Sequence, residues 1–440
     1  MLLGICAGVR IRMRGLGILA GVFLAMGAAQ AAGPLTLDEA RRLAEAANPA
    51  LRAARASLDA AEGQVRDASG LLYNNPQIVT DQTRRRAAQS GQTDAHFHEQ
   101  SVGLAQTFEI AGQAGYRREA AERELAATQA GIEEMRRHVA AEVEQRFTRV
   151  LVLQRRIDTE REALAAVEEA ATAVRKRVAA GEDSRLDGNL ATVEAERGRN
   201  QLAALSEQLL QARAELAAVL QLPADRLPEA SGELSATAPA YTLESLLAAA
   251  AGRAQLRALG QREQAARSRL DLERAAVFPD VTVGLSAGQE APYDAREHFT
   301  RLTVSVPLPL FRRNAAGIGR ATTELSQAQI ERQSALRDVD AQVRTLWQRL
   351  SSLQARVKRL TDSVLPALND NRRLSTTAYR AGEVGLLQLL LVNRQVLDAR
   401  RDYLDALGEF VQTRIALEQA AGWPSIPSDR PLTLPLEQAR

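Results

Sequence analysis

One cysteine and four histidines in 440 residues leave no basis for a disulfide framework, a zinc finger, an iron–sulfur centre or any cysteine-rich metal site. An excess of one charge is also missing. The 56 Lys and Arg stand against 54 Asp and Glu, and a formal net charge of +2 gives no electrostatic footprint for nucleic acid. Aromatic residues make up only 4% of the chain while the apolar set reaches 45%, so most apolar side chains are Ala, Leu and Val. That composition suits closely packed helices better than aromatic-filled sandwiches. Beyond the N-terminal segment, no stretch approaches the roughly 18 apolar residues of a membrane-spanning helix.

The N-terminal segment is an export signal in outline. Arg10, Arg12 and Arg14 precede an apolar run from Leu16 to Met26, and Ala29-Gln30-Ala31 offers the small-x-small pattern that signal peptidase cuts after. Residues 1–31 are therefore expected to be removed, and the run is about half the ~20 residues a spanning helix needs. Met13 is as good a start as Met1, because everything the signal requires lies beyond it. Cys6 lies upstream of the apolar run and Ile5 is too large for a lipoprotein site, so neither a cysteine nor a lipid anchor is expected in the mature chain. An exported chain of this kind is soluble outside the cytoplasm or crosses a membrane as a β-barrel.

Heptads dominate the mature chain. Leu336, Val339, Val343, Leu346, Leu350, Leu353, Val357, Leu360 and Val364 recur at alternating steps of three and four, the period of left-handed coiled-coil packing. A looser version runs from Ile132 through Val143, Val150 and Ile157 to Val178. Residues 113–178 and 314–378 thus read as two long helices of about 100 Å each at 1.5 Å per residue, the second bent at Pro366. Both end at a glycine turn, Ala180-Gly181-Glu182 and Ala381-Gly382-Glu383, and returning helices are expected over 186–220 and 386–420. Four runs of period-two alternation, about 76–84, 100–109, 279–287 and 300–309, read as strands with one apolar and one polar face, paired as two hairpins.

These pieces occur twice in the same order. Thr36-Leu37, Asn75-Pro76, Phe108 and Gly181 are answered by Thr242-Leu243, Phe278-Pro279, Phe311 and Gly382, at an offset drifting from 206 to 201 residues. The chain is expected to divide into a first repeat over 32–222, a linker over 223–241, a second repeat over 242–423 and a tail over 424–440. The fold class is mainly α with a small β part. Four strands cannot close a membrane barrel, whose smallest examples use eight, so strands must be pooled with other copies.

The segments "LTLDEARRLAEAANPALRAARASLDAAEG", "NNPQI", "LAQTFEIAGQAGYRREAAE", "RVAAGEDSRLDG" and "AYRAGEVGLLQLL" together resemble the TolC-like outer-membrane efflux channels, most closely their cobalt-zinc-cadmium branch, over about residues 36–422. The resemblance implies a homotrimer in the outer membrane, with twelve strands in one barrel and a helical tunnel in the periplasm. It implies an exit duct joined by a periplasmic adaptor to an inner-membrane RND-type transporter, without enzymatic activity, cofactor or nucleic-acid partner. Substrates would be heavy-metal cations; drugs or a secreted protein are the alternative cargo, and a periplasmic coiled-coil adaptor the alternative class. An adaptor, however, would carry one hairpin and lipoyl-like halves.

On that reading the two glycine turns are periplasmic tips, with Gly181, Glu182 and Leu186 in one and Gly382, Glu383, Val384, Gly385 and Leu386 in the other expected to dock the adaptor. Val384 and Leu386 are expected to be exposed there. Asp187 matches the aspartates that ring the aperture in many relatives, but Gln388 and Leu391 stand at the matching places of the second repeat, a departure from a strong acidic ring. His96-Phe97-His98-Glu99 is read as polar loop, not a metal site. Glu133-Glu134 reads as a solvated helix face, and Gly284-Leu285-Ser286-Ala287-Gly288 as strand instead of a nucleophile elbow. Arg84-Arg85-Arg86 reads as a solvated hairpin end, with lipopolysaccharide phosphates as the alternative.

Overall fold

Side-chain caps start the first helices of each half. Thr36 closes a capping box with Glu39 over α1 (Leu37–Ala47), and Asn48 accepts from the Ala50 and Leu51 N–H groups to open α2 (Pro49–Ala68). In the second half Thr242 and Ser245 do the same for α5 (Leu243–Ala251), and α6 (Ala254–Ala275) comes next. The structure is a computed structural model that describes residues 34–87, 95–237, 240–290, 297–311 and 313–423. The expected signal peptide and C-terminal tail, the centres of both strand loops and part of the linker lie outside the described residues.

The long helix α3 (Gln113–Ala180) is 68 residues of unbroken helix, about 100 Å, and α4 (Arg185–Val219) returns beside it. Its counterpart is interrupted. There, α7 (Ala315–Arg359) passes through a π-helical turn (Leu360–Val364) into α8 (Leu365–Arg380), and α9 (Leu386–Ala421) returns. The cause is Pro366, which cannot donate to the Asp362 carbonyl four residues back; the chain widens one turn earlier, where the Leu365 N–H donates to the Leu360 carbonyl. The heptad seam weakens at the same place. Val339, Val343, Leu350, Leu353 and Val357 are buried, but neither the π turn nor α8 contains a buried residue. The matching part of α3 buries Ile157, Glu160, Ala171 and Val174.

Helix α3 is the spine. Nearer the sheet, α2, α3, α6 and α7 lie side by side in that order; further along, the order is α4, α3, α9 and then α7 or α8. One core cluster packs Val143, Phe147 and Val150 of α3 against Leu51 and Leu216, and a second packs Leu246 against Val343, Phe410 and Leu417. Ion pairs join the halves along the spine. Glu134 takes Arg253, Glu133 takes Arg257, Glu144 takes Arg414, and Arg401 grips buried Glu160 through Nε (2.5 Å) and Nη2 (2.8 Å). Glu133 and Glu134 are thus inter-half contacts and not the solvated face expected, a role invisible until α6 is laid beside α3.

All four strands form one antiparallel sheet in the order β1 (Gln77–Ala87), β2 (Ala95–Phe108), β3 (Val281–Glu290), β4 (Glu297–Ser305). The two hairpins are joined through β2 and β3. Strand β2 begins earlier than expected, so His96 to Glu99 are strand residues instead of loop. Strand β4 stops at Ser305 because Pro307 and Pro309 lack the N–H that a ladder needs. At the sheet-to-helix junction Arg117 donates to Glu109 and stacks on the Tyr73 ring at 3.4 Å, while buried Gln113 accepts from the Ala111 N–H and donates to Asp280.

Candidate functional site

Register sorts the strand residues onto two unlike faces. Ile78, Leu104, Leu285 and Leu302 are successive cross-strand neighbours, one row of aliphatic side chains running across all four strands, and they are 73%, 59%, 58% and 68% exposed. Rows on either side of it add Val283 with Val304, Phe108 with Val281, and Val102 with Ala287. The opposite face is small and polar. It carries Ser101, Gly103, Thr107, Thr282, Ser286 and Thr303, with Thr107 hydrogen-bonded to Thr282 at 2.9 Å and Ser101 donating to Asp81. At the seam between the halves Gly103 faces Ser286 so closely that a Cβ there would lie 2.6 Å from that of Ser286. Ser286 is therefore a mid-strand residue against a neighbouring strand, with no nucleophile's turn around it.

Carboxylates are segregated more strictly than hydropathy, for Val79 and Phe299 lie on the polar face and Thr80, Gln106 and Thr300 on the aliphatic one. Every acidic residue of the four strands, Asp81, Glu99, Glu290 and Glu297, lies on the polar face, together with Arg85 and Arg301. Arg85 pairs with Glu99 at 3.3 Å and Arg301 with Glu290 at 3.1 Å. Arg84, His98 and His298 fall on the aliphatic face, at its end nearest the loops. The triple arginine is thus split by the two-residue period, with its middle member turned to the side opposite Arg84. Among the described residues no group of three or more His, Cys, Asp and Glu is placed to hold a metal ion, and no helix is long and apolar enough to cross a membrane.

At the far end of the helices both glycine turns have left-handed backbone, Gly181 at φ 80° and Gly382 at φ 76°, where a residue with a Cβ is strained. The Glu182 N–H donates to the Arg177 carbonyl and the Glu383 N–H to that of Ala378, both at 2.9 Å, so the two caps are alike. The tips touch through a third cluster in which Leu386 and Leu390 pack on Ala171, Val174 and Ala191. Arg177 pairs with Asp183 at 3.0 Å and points at the Tyr379 ring.

Leu386 corrects the expectation from sequence. It is 5% exposed, and Val384 is half-buried, because the first turn of α9 directs Leu386 against α3 and α4. Beside the glycine turns the exposed leucines are Leu186 at 75% and Leu387 at 67%, which correspond under the 201-residue offset of the tips. Counting that offset from Gly181 and Gly382 would have found Leu387. Glu182, Glu383 and Gly385 are exposed, and no atom lies within 4 Å of a Cβ built at Gly385. Ser184 caps α4: its Oγ accepts from the Asp187 backbone N–H, and its hydroxyl donates to the Asp187 carboxylate at 2.6 Å. Gln388 and Leu391 are exposed on α9.

The family model described as "Outer membrane efflux protein" matches this chain over residues 40–220 and again over 246–423. The cobalt-zinc-cadmium resistance protein CzcC of Cupriavidus metallidurans is 30% identical over 402 residues, which is 89% of this chain and 91% of that protein. Among solved structures, the outer membrane protein VceC of Vibrio cholerae superposes with a TM-score of 0.73 at 20% identity, covering 88% of this chain and 96% of VceC. The open-state MtrE outer membrane channel of Neisseria gonorrhoeae gives 0.71 at 20% identity, with 88% of each chain covered. A mainly helical chain with a four-stranded, two-faced sheet and a duplicated family match belongs to the outer membrane efflux protein family.

Proposed function

We propose that this chain is the outer-membrane exit duct of a tripartite efflux system for heavy-metal cations, working as a homotrimer with a periplasmic tunnel. The observation that carries the reading is the two-faced sheet with two free edges. Among the described residues strands β1 and β4 each lack a neighbour on one side, and they run antiparallel, so a β4 can pair with the β1 of another copy and continue the alternation. Repetition closes a barrel in which the aliphatic face meets lipid and the polar face meets water. Three copies supply twelve strands.

Cation passage is supported by charge and by kinship. The polar face holds four carboxylates against two arginines in each chain, so the barrel interior repels anions and concentrates cations. The relative CzcC is named for cobalt, zinc and cadmium resistance. Asp187 and Gln388 are assigned to the periplasmic aperture. Asp187 is held by its cap, and Gln388 carries no charge, so cation preference resides in the barrel and not in an acidic ring at the tip.

The tips Gly181, Glu182, Leu186, Gly382, Glu383, Val384 and Gly385 are assigned to docking of the periplasmic adaptor, with exposed Leu387 taking the place of Leu386. An inner-membrane RND-type transporter completes the system. The reading is tested by expressing the chain with an adaptor and a metal transporter in cells lacking their own outer-membrane channel. Restored tolerance to zinc, cobalt or cadmium supports it; restored drug tolerance without metal tolerance contradicts the cargo assignment.

A further inference from the structure

The aliphatic face of the sheet ends in a polar row that no lumenal role explains. Gln82, Gln100, Gln289 and His298 are successive cross-strand neighbours across all four strands, and one row further toward the loops Arg84 lies opposite His98. These side chains share the face of Ile78, Leu104, Leu285 and Leu302, and Arg84, His98 and His298 are exposed. No carboxylate of the four strands lies on this face, and Arg84 forms no ion pair among the described residues. From the Phe108–Val281 row to the glutamine row is eight residues, about 26 Å along a strand and roughly 20 Å in height at a tilt near 40°. That is close to the ~25 Å apolar band of an outer-membrane barrel, so the row marks where hydrocarbon ends.

We infer that Arg84, with His98 directly opposite it on β2, binds the phosphate groups of a phosphorylated glycolipid in the outer leaflet. The inference rests on the proposed exit-duct function, in which the aliphatic face meets the membrane and the helices lie on the periplasmic side. Given that orientation, the loop end of the sheet is the outer leaflet, where the lipid headgroups are anionic. The glutamine row supplies neutral hydrogen-bond donors at the depth of the headgroup linkages, and Arg84 supplies a forked cation one row above, a geometry that suits phosphate oxygens. Negative charge on the lumenal face and positive charge on the lipid face, separated by one residue of strand, match an aqueous cation path on one side and anionic lipid on the other.

The experiment uses the full assembly, purified free of lipid in detergent and titrated with bis-phosphorylated lipid A or its dephosphorylated analogue, bound lipid being counted by native mass spectrometry. The native protein is expected to bind the phosphorylated lipid at least tenfold more tightly. Arg84→Glu combined with His98→Gln should abolish that preference while leaving the dephosphorylated analogue unchanged, and Arg85→Gln on the opposite face should change neither. Millimolar inorganic phosphate should not displace the lipid; displacement would make this a free-phosphate site and overturn the inference. Equal affinity of the native protein for the two lipids, a comparison that needs no variant, would also overturn it. Arg84→Gln replaces Arg84→Glu if the charge reversal prevents assembly. Failure of the native chain to insert into bilayers at all would instead remove the membrane reading beneath it.

Discussion

Leu104 stands directly opposite Leu285, and through that pair the two halves of the chain become one sheet. The first lies in strand β2 of the first half and the second in β3 of the second half. Their aliphatic side chains continue a row begun by Ile78 and ended by Leu302, on the face that carries no carboxylate. Because a shift of one residue would exchange the faces of a whole strand, this pair also fixes which residues meet water.

Placing a charge in that row or the one beside it should prevent assembly. Leu285→Arg is expected to cost about 2–4 kcal/mol where it meets the middle of the hydrocarbon, and Val283→Arg a similar amount. Thr303→Arg, on the polar face, should be tolerated. The yield of assembled protein in outer-membrane fractions checks this; equal yields for Leu285→Arg and Thr303→Arg would mean the faces are exchanged.

The Glu160–Arg401 pair should matter most when broken from one side. Arg401→Met leaves the carboxylate of Glu160 buried without a partner and is expected to destabilise the helical part by about 3–5 kcal/mol. The double variant Glu160→Leu with Arg401→Met should recover most of that loss. A thermal-unfolding cycle on the helical signal tests it, and additive losses would show that the two residues act separately.

Stability should also fall with rising pH through Glu418. Burial raises its pKa above the ordinary value of 4.5, with Arg414 acting in the opposite sense, while Tyr241 donates to its Oε1 at 3.1 Å. A raised value means that the folded state holds the proton more tightly than the unfolded state. The contribution is therefore complete below about pH 4.5 and is lost as pH rises through the folded value. Relative to Glu418→Gln, the native protein should lose melting temperature as pH rises above 4.5. A constant difference between the two proteins would contradict the assignment.

At the tips, Gly385 gives the cleanest variant. Its backbone is extended and its surroundings are open, so Gly385→Trp adds bulk without strain, whereas substitutions at Gly382 also disturb a left-handed cap. Gly385→Trp and Leu387→Asp are each expected to reduce metal efflux tenfold or more with assembly unchanged. Leu386→Asp should instead destabilise the tip itself. Normal efflux by both of the first two variants would remove the docking assignment.

Much of this architecture was legible because period and order are local properties. The heptads of α7, the alternation in β3 and the matched glycine turns each lie within one short segment. What was not legible depends on neighbours distant in sequence. Glu134 becomes an inter-half contact only when Arg253 is beside it, and Leu386 is buried only because α3 supplies Val174. The π turn was half legible: Pro366 announced a disturbance, but its displacement to Leu360–Val364 stems from the carbonyl that the proline leaves unbonded. Similarly, the triple arginine looked uniform until pairing with Glu99 and His98 placed Arg85 and Arg84 on opposite faces.

The central claim is that this sheet is one part of a shared barrel, and the most direct measurement is the mass of the assembly extracted from outer membranes in detergent. The account predicts three chains per particle, with the strands protected from proteolysis and the particle conducting cations in preference to anions across a planar bilayer. A folded monomer or dimer, or a particle that conducts nothing, would contradict it.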